Sequence, residues 1–304
     1  MSKLQKSQAK RILVLSDIQT GDKLTKDEQA KLTKLIEAAK PDLIILLGDM
    51  IQGLTVVFKR QAERIIHSIL EPIISRRIPF AIVSGNHDSD SRVSLETQIK
   101  IYQSFPGCLT PLPSKRSCQE AYNLNLPGFP FQLLFIDSGK TRITTHGVHY
   151  YPPKPETLKF TKELLGSPAS PKTIVFQHVI VPDVCRLLKP VKPNEDGIKG
   201  KGPFKGQRLA LKNKSAGTLG EMPCPAWKND KQFPAWVNSG KVSAAVFAHD
   251  HVNSFVDELD GIKIIQTASA GLTCYGDENL RGGRLITLSQ NKIETKELRY
   301  SSIA

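Results

Sequence analysis

Phe80-Ala81-Ile82-Val83-Ser84-Gly85-Asn86-His87-Asp88 begins as a short apolar run of buried-strand type and ends, past a glycine, in an amide, an imidazole and a carboxylate. Those last residue types do not build cores. An amide oxygen and an imidazole side by side, on a loop freed by glycine, suit a hard metal ion next to a proton donor. Taken alone, the tetrad Gly85-Asn86-His87-Asp88 also reads as a surface turn. Its meaning depends on whether other strands end in the same way.

They do. Residues 12–16 (ILVLS) form a continuous apolar run that delivers Asp17-Ile18-Gln19 to the loop at its carboxyl end. Thr25 with Glu28 is a capping-box pair, and Leu32, Leu35, Ile36 and Ala39 then recur at helical spacing up to Pro41. The unit repeats with residues 42–47 (DLIILL), Gly48-Asp49, and a helix over 56–77 carrying Ile65, Ile66, Ile69, Leu70 and Ile73. The opening stretch is the third strand, followed by a helix over 91–105 with Val93, Leu95, Ile99 and Ile101 as its apolar positions. Three βα units in a row predict a parallel core sheet with ligands at the carboxyl ends of its strands.

Beyond Pro106, residues 119–126 and 131–137 predict a hairpin, and a loop with His146, His149, Tyr150 and Tyr151 leads to a helix near 156–165. Residues 173–176 form a further strand ending in Gln177-His178, and 242–247 (VSAAVF) another ending in Ala248-His249-Asp250-His251. Residues 254–258, 262–266, 284–288 and 293–298 read as closing strands.

The chain of 304 residues, 39% hydrophobic and 23% charged, is expected to form one α/β domain over 1–304. Its longest apolar run, near residues 43–47, is too short to span a bilayer. Residues 1–11 are basic and polar and lack the apolar core of a secretory signal, and Cys108, Cys118, Cys185, Cys224 and Cys274 are odd in number with no CxxC spacing. A cytoplasmic, reducing location is expected, with no disulfide framework or zinc ribbon. The net charge of +13 favours an anionic partner: a phosphorylated metabolite, a phosphoprotein, a nucleic acid or a lipid headgroup. Residues 185–241 hold twelve Lys/Arg against four Asp/Glu, hence +8, together with thirteen Gly and Pro. They read as a basic insertion of loops with one helix near 230–238. It serves either as a rim that recruits anionic substrate or as a solvated loop, with Trp227, Phe233 and Trp236 forming its own small core or stacking bases. Cys185, seven residues past His178, reads as a bystander. The sequence leaves the oligomeric state open.

Collecting the strand-end residues gives Asp17 with Gln19, Asp49, Asn86 with His87, His178, and His249 with His251. Each has an ordinary reading by itself, Gly48-Asp49 as a turn and His178 as a hydrogen-bonded core histidine among them. Five strand ends that all carry hard-ligand types point to a metal centre. Carboxylate, amide oxygen and imidazole together suit Mn, Fe, Zn or Mg rather than copper or an iron-sulfur cluster. The ligands suffice for two ions joined by a shared carboxylate, an arrangement that promotes in-line displacement at phosphorus.

In this order, Asp-x-Gln, Gly-Asp, Gly-Asn-His-Asp, a lone His and Ala-His-x-His resemble the calcineurin-like metallophosphoesterase superfamily from residue 11 to about 290. Residues 48–53, Ile136-Asp137-Ser138-Gly139, and Tyr275-Gly276 with Arg284 resemble its small purple-acid-phosphatase-like branch of plants and fungi. The resemblance implies a four-layer α-β-β-α sandwich, two mixed sheets flanked by helices. It implies Asp17 and His251 on a first metal, Asn86, His178 and His249 on a second, and Asp49 bridging. Asn86 and His87 would meet substrate, and His87, unliganded, would assist the leaving oxygen, a role typically worth roughly 10² to 10⁴ in rate. The sequence departs from the pattern at Gln19, where most of the superfamily has a histidine, and at Gln52, where purple acid phosphatases have a tyrosine. The first metal then takes an amide oxygen from Gln19, takes an extra water, or is held loosely. The expected activity is hydrolysis of phosphomonoesters, of a metabolite or a phosphoprotein, by a metal-activated hydroxide with two ions of Mn, Fe or Zn. The rivals are a phosphodiesterase acting on cyclic nucleotides or nucleic acid, and an inactive or single-metal scaffold.

Overall fold

The computed structural model describes residues 9–137, 141–145, 147–228, 231–290 and 292–303. His146, Ser138, Gly139 and Asp230, named above, lie outside them. In chain order the principal elements are β1 (Lys10–Leu15), α1 (Lys26–Ala39), β2 (Leu43–Leu47), α2 (Lys59–Ile74), β3 (Phe80–Val83), α3 (Asn86–Asp90), α4 (Leu95–Gln103), β4 (Ala121–Leu124) and β5 (Gln132–Ile136). There follow β6 (Thr141–Thr144), β7 (Gly147–Tyr150), α5 (Pro155–Gly166), β8 (Thr173–Gln177), β9 (Leu188–Val191), β10 (Ile198–Lys199), β11 (Arg208–Leu211) and β12 (Gly217–Leu219). The remainder is α6 (Gln232–Ser239), β13 (Val242–Phe247), β14 (Asn253–Leu259), β15 (Ile262–Gln266), β16 (Gly282–Ser289) and β17 (Lys292–Arg299).

Two large mixed sheets face each other. One has the order β17-β16-β1-β2-β3, with β1, β2 and β3 parallel; the other has the order β12-β14-β15-β13-β8-β5-β4, with β15, β13, β8 and β5 parallel. The parallel strands read as unbroken apolar runs because both of their faces are covered. Ile12, Val14, Leu43, Ile45, Leu47, Ala81 and Val83 of the first sheet pack against Leu133, Phe135, Ile174, Phe176, Ala244 and Val246 of the second. The alternate residues Leu13, Leu15, Ile44, Leu46, Phe80 and Ile82 face helices α1, α2 and α4. On the far side, Leu134, Ile136, Val175, Ala245 and Phe247 join Leu165 of α5 and Phe233 and Trp236 of α6. The layers are thus helix, sheet, sheet, helix, as the resemblance implied.

Helix α1 begins where the capping box places it: the Thr25 side chain accepts from Glu28 N–H, and Glu28 reaches back to the Thr25 N–H at 2.7 Å. Other expectations need correction. The tetrad Gly85–Asp88 is not a loop, because Asn86 opens the short helix α3. The helix expected over 91–105 starts only at Leu95, where the Ser94 hydroxyl caps the Thr97 N–H, and Leu95 itself is only half-buried. The stretch 185–241 is far from all loop: β9, β10 and β11 make a three-stranded antiparallel sheet, and β12 extends the second large sheet beside β14. Phe233 and Trp236 belong to the core outside the second sheet, with Trp236 stacked on Phe247, whereas Trp227 is half exposed; they do not make a separate small core.

Candidate metal centre

The carboxyl ends of strands from both sheets converge on one spot. Asp17 follows β1, Asp49 follows β2, Asn86 opens the helix after β3, His178 follows β8, and His249 and His251 follow β13. Backbone bonds tie these loops together: Asp17 N–H donates to Gly48 O at 3.0 Å, Gln19 N–H to Asp49 O at 2.8 Å, and Ala248 N–H to His178 O at 3.0 Å. Asp17, Gln19, Asp49 and His249 all carry positive φ, between 43° and 72°. Left-handed backbone at a non-glycine residue costs free energy and persists where surroundings over-determine it, which turns the side chains toward one point here.

Two glycines permit the approach. A Cβ on Gly48, whose φ is +84°, would stand 2.6 Å from His178 Nδ1, and one on Gly85 would stand 2.6 Å from Asp49 N. Only bare backbone lets these loops, one pair between the sheets and one within the first sheet, come so close.

The side chains meet at short range. His178 Nε2 lies 3.1 Å from Asp49 Oδ2 and 3.6 Å from Asp17 Oδ1, and His251 Nε2 lies 3.3 Å from Asp17 Oδ1. Both imidazoles are oriented from behind: His178 Nδ1 is 2.7 Å from Leu47 O, and His251 Nδ1 is 2.7 Å from Tyr275 O. A carbonyl only accepts, so Nδ1 donates and Nε2 is turned inward, where it can serve as a ligand nitrogen once unprotonated; an outer bond of this kind is usual for a metal-binding histidine. Asp17 Oδ1, Asp49 Oδ2, Asn86 Oδ1 and His178 Nε2 are all buried without a hydrogen-bond partner. Buried polar atoms left unpaired are costly, and three acceptor oxygens in one place beside an inward imidazole nitrogen fit a cation among them. Asp49, His178 and His249 offer ligand atoms within 4.8 Å of one another. The residues therefore fit a metal centre.

The electrostatics agree. Burial pushes the Asp17 and Asp49 carboxyls up, but His178 beside both, His251 beside Asp17, and His87 and His249 beside Asp49 hold them below the ordinary range. Burial lowers His178, and the two aspartates more than reverse this, raising it to about 9. Burial likewise lowers His251, which Asp17 brings up to about 11. His249, lowered by burial and by His178, falls to about 3 and is a neutral imidazole. The two carboxylates thus hold protons on His178 and His251 where these side chains meet.

Of the sequence-predicted residues, Asp17, Asp49, Asn86, His178, His249 and His251 are buried and brought together. His87 and Gln19 are half-buried at the edge; His87 N–H donates to Asp49 Oδ1 at 2.7 Å. Cys185 is half-buried, its thiol pushed up to about 11 by burial and the nearby Asp250 charge.

Sequence reasoning gave no role to Asp88. Its carboxylate accepts from the N–H groups of Asp49, Met50, Ile51 and Gly85 at 2.8–3.2 Å, fixing the Asp49 turn to the start of α3. An acid at the third position of a helical turn was the available signal. Tyr150, placed in a loop by the sequence, meets His249 edge to face with ring centroids 4.3 Å apart, and Tyr275 stacks on His251 with centroids 4.0 Å apart. Asp137, of the Ile136–Asp137 motif, accepts from Ser84 N–H at 2.7 Å and so braces the end of β3.

Residues 10–253 match the family model for calcineurin-like phosphoesterases. Two curated proteins of Arabidopsis thaliana resemble the chain. "Probable inactive purple acid phosphatase 29" is 25% identical over 281 residues, which are 86% of this chain and 68% of that protein. "Probable inactive purple acid phosphatase 14" is 26% identical over 277 residues, 81% of this chain and 62% of that protein. The chain therefore spans about two thirds of the length of these relatives. A crystal structure of a dimetal phosphatase from Danio rerio shares the fold at a TM-score of 0.54 and 13% identity, covering 94% of this chain and 98% of that one. A family model that takes in all the strand-end motifs up to His251, and a fold whose sheets bring those motifs together, lead to one assignment: the chain belongs to the calcineurin-like phosphoesterase family.

Proposed function

We propose that the protein is a metal-dependent phosphatase of the cytoplasm that hydrolyses phosphomonoesters at a two-ion centre. The observation that carries this reading is the convergence of unpaired, buried Asp17 Oδ1, Asp49 Oδ2, Asn86 Oδ1 and His178 Nε2. Asp17 and His251 would hold one ion, Asn86, His178 and His249 the other, and Asp49 would face both. When bound, such a pair supplies an activated water and stabilises charge on the transferring phosphoryl group; Mn, Fe and Zn suit the donors. The chain's own work is positioning. Asp49 is held by the His87 N–H on its side chain and by Asp88 on its backbone, and Asn86 Nδ2 donates to Thr141 Oγ1 at 3.3 Å, which turns Oδ1 inward. His87, half-buried at the first turn of α3, reaches the phosphoryl oxygens and gives a proton to the leaving oxygen.

Gln19 and Gln52 favour a second reading, a one-ion or inactive scaffold, because neither brings the imidazole or phenol that relatives of this type place on the first ion. Metal content after loading with Mn, followed by turnover of p-nitrophenyl phosphate and of its bis ester, separates these. Two ions and faster monoester turnover support the proposal. Faster diester turnover would move it to the phosphodiesterases, and one ion without turnover would leave the scaffold.

A further inference from the structure

The six most exposed large apolar side chains among the described residues are Leu54, Phe58, Ile143, Val148, Trp227 and Tyr275, at 50–76%. Singly, such residues need no explanation. The segments that carry them, however, meet residues of the candidate metal centre or their direct neighbours. Leu54 lies in the turn Gly53–Thr55 and Phe58 just beyond it at the start of α2; the turn packs on α3 so closely that a Cβ on Gly53 would lie 2.5 Å from the His87 carbonyl. Ile143 and Val148 are directly opposite each other in the β6–β7 hairpin, whose Thr141 binds Asn86. Trp227 N–H donates to the carbonyl of Tyr150, the residue whose ring meets His249, and Tyr275 lies flat on His251.

Cations stand beside them. Lys59 and Arg60 follow Phe58, Arg92 follows α3 and Lys228 follows Trp227, all exposed, on a chain of net charge +13. We infer that this rim is a docking surface for an anionic membrane, with the metal cleft facing the headgroups. The apolar groups sit on four separate segments around a polar cleft, so they offer no continuous face for a rigid protein partner to cover. A bilayer interface needs none: it admits separate aliphatic tips, takes Trp and Tyr at headgroup level, and attracts flanking Lys and Arg to acidic lipids. Among the described residues no helix is long and apolar enough to cross a membrane, and the contact proposed is a surface one. That a headgroup phosphoester reaches the ions rests on the function proposed above; the docking does not.

Co-sedimentation of the full chain with vesicles tests it, using phosphatidylcholine alone and phosphatidylcholine with phosphatidylserine. The wild-type chain is expected to bind the acidic vesicles and to release them as salt rises. Replacing Ile143 and Val148 together by Ser, or Leu54 and Phe58 together by Ser, should weaken that partition roughly tenfold or more. Turnover of p-nitrophenyl phosphate by these variants should stay unchanged, which checks their folding. No binding to either vesicle, or equal binding by both double variants, would overturn the inference; so would capture of a phosphorylated peptide in place of vesicles. Vesicle binding by a protein without any turnover would sink the catalytic reading and leave the docking intact.

Discussion

Replacing Gly85 by Ala isolates the feature that sets the site's dimensions. Gly85 has φ −89° and ψ −175°, extended backbone open to any residue, so the substitution carries no backbone penalty. Its cost is steric. The new methyl carbon would stand 2.6 Å from Asp49 N and 2.8 Å from Asp49 Cγ, and closer still to Oδ1. Ordinary contact needs about 3.5 Å, so Asp49 Cγ or N must move by roughly 0.7 to 0.9 Å and the carboxylate oxygen by more. The Asp49 backbone is poorly able to yield, because its N–H is held by Asp88 at 2.8 Å and its carbonyl by the Gln19 N–H at 2.8 Å. The carboxylate therefore swings and releases the His87 N–H, now 2.7 Å away. Overpacking costs about 1–3 kcal/mol. The lost charge-assisted bond costs about 1.5–3 kcal/mol. Together they remove about 2.5–6 kcal/mol, a large part of a typical domain's 5–15 kcal/mol, while a displacement near 1 Å at a catalytic group costs on the order of 100-fold in rate. Urea unfolding with an unchanged slope, Mn stoichiometry, and turnover of p-nitrophenyl phosphate would be measured together. A Gly85→Ala protein with the wild-type midpoint, full ion content and full turnover would refute the close-approach reasoning.

Asn86→Ala should lower Mn stoichiometry by one ion, whereas His87→Ala should keep the ions and lose roughly 10² to 10⁴ in kcat; metal analysis beside steady-state kinetics distinguishes them. Gln19→His should tighten Mn binding at the weaker step of a metal titration, and an unchanged isotherm would mean that position 19 does not reach the ion. In the ion-free protein burial lowers His178, but Asp49 and Asp17 raise it from 6.5 to about 9, so at neutral pH an incoming ion must displace its proton. Metal affinity should then rise with pH up to about 9 with proton release, which calorimetry in buffers of different ionisation enthalpy would detect. The same raised value contributes stability that is full below pH 6.5 and lost through about pH 9. Thermal melts of chelator-treated protein should fall across that window, and melts of the Mn-loaded protein should not.

The strands of the two-sheet core were legible because burial on both faces leaves an unbroken apolar run: Leu43, Ile45 and Leu47 enter one core and Ile44 and Leu46 the other. The strands within 185–241 were not. β9 is Leu-Lys-Pro-Val, an edge strand with a proline, and β11 alternates over only Arg208–Leu211. So short a period is lost among the glycines and prolines. Helix α4 starts four residues after the expected position because the apolar spacing continues upstream through Val93, whereas the Ser94 hydroxyl, which caps the Thr97 N–H, marks the true start.

The candidate ligand types at the strand ends were visible in the sequence, but the distances between them were not. Ligand types at strand ends are a matter of composition and position, which a sequence displays. Their separation depends on how near the loops can pass, between the sheets at Gly48 and within the first sheet at Gly85, which in sequence look like ordinary turn residues. The structure separates the two. Gly48 needs both its positive φ of +84° and the room beside His178, a residue from the other sheet. Gly85 needs only the room beside Asp49. Either Cβ would press on a ligand: at position 48 on His178 and at position 85 on Asp49. The glycine in Gly-Asp therefore sets how close the two sheets come at the centre, and the glycine in Gly-Asn-His-Asp sets where Asp49 stands between them.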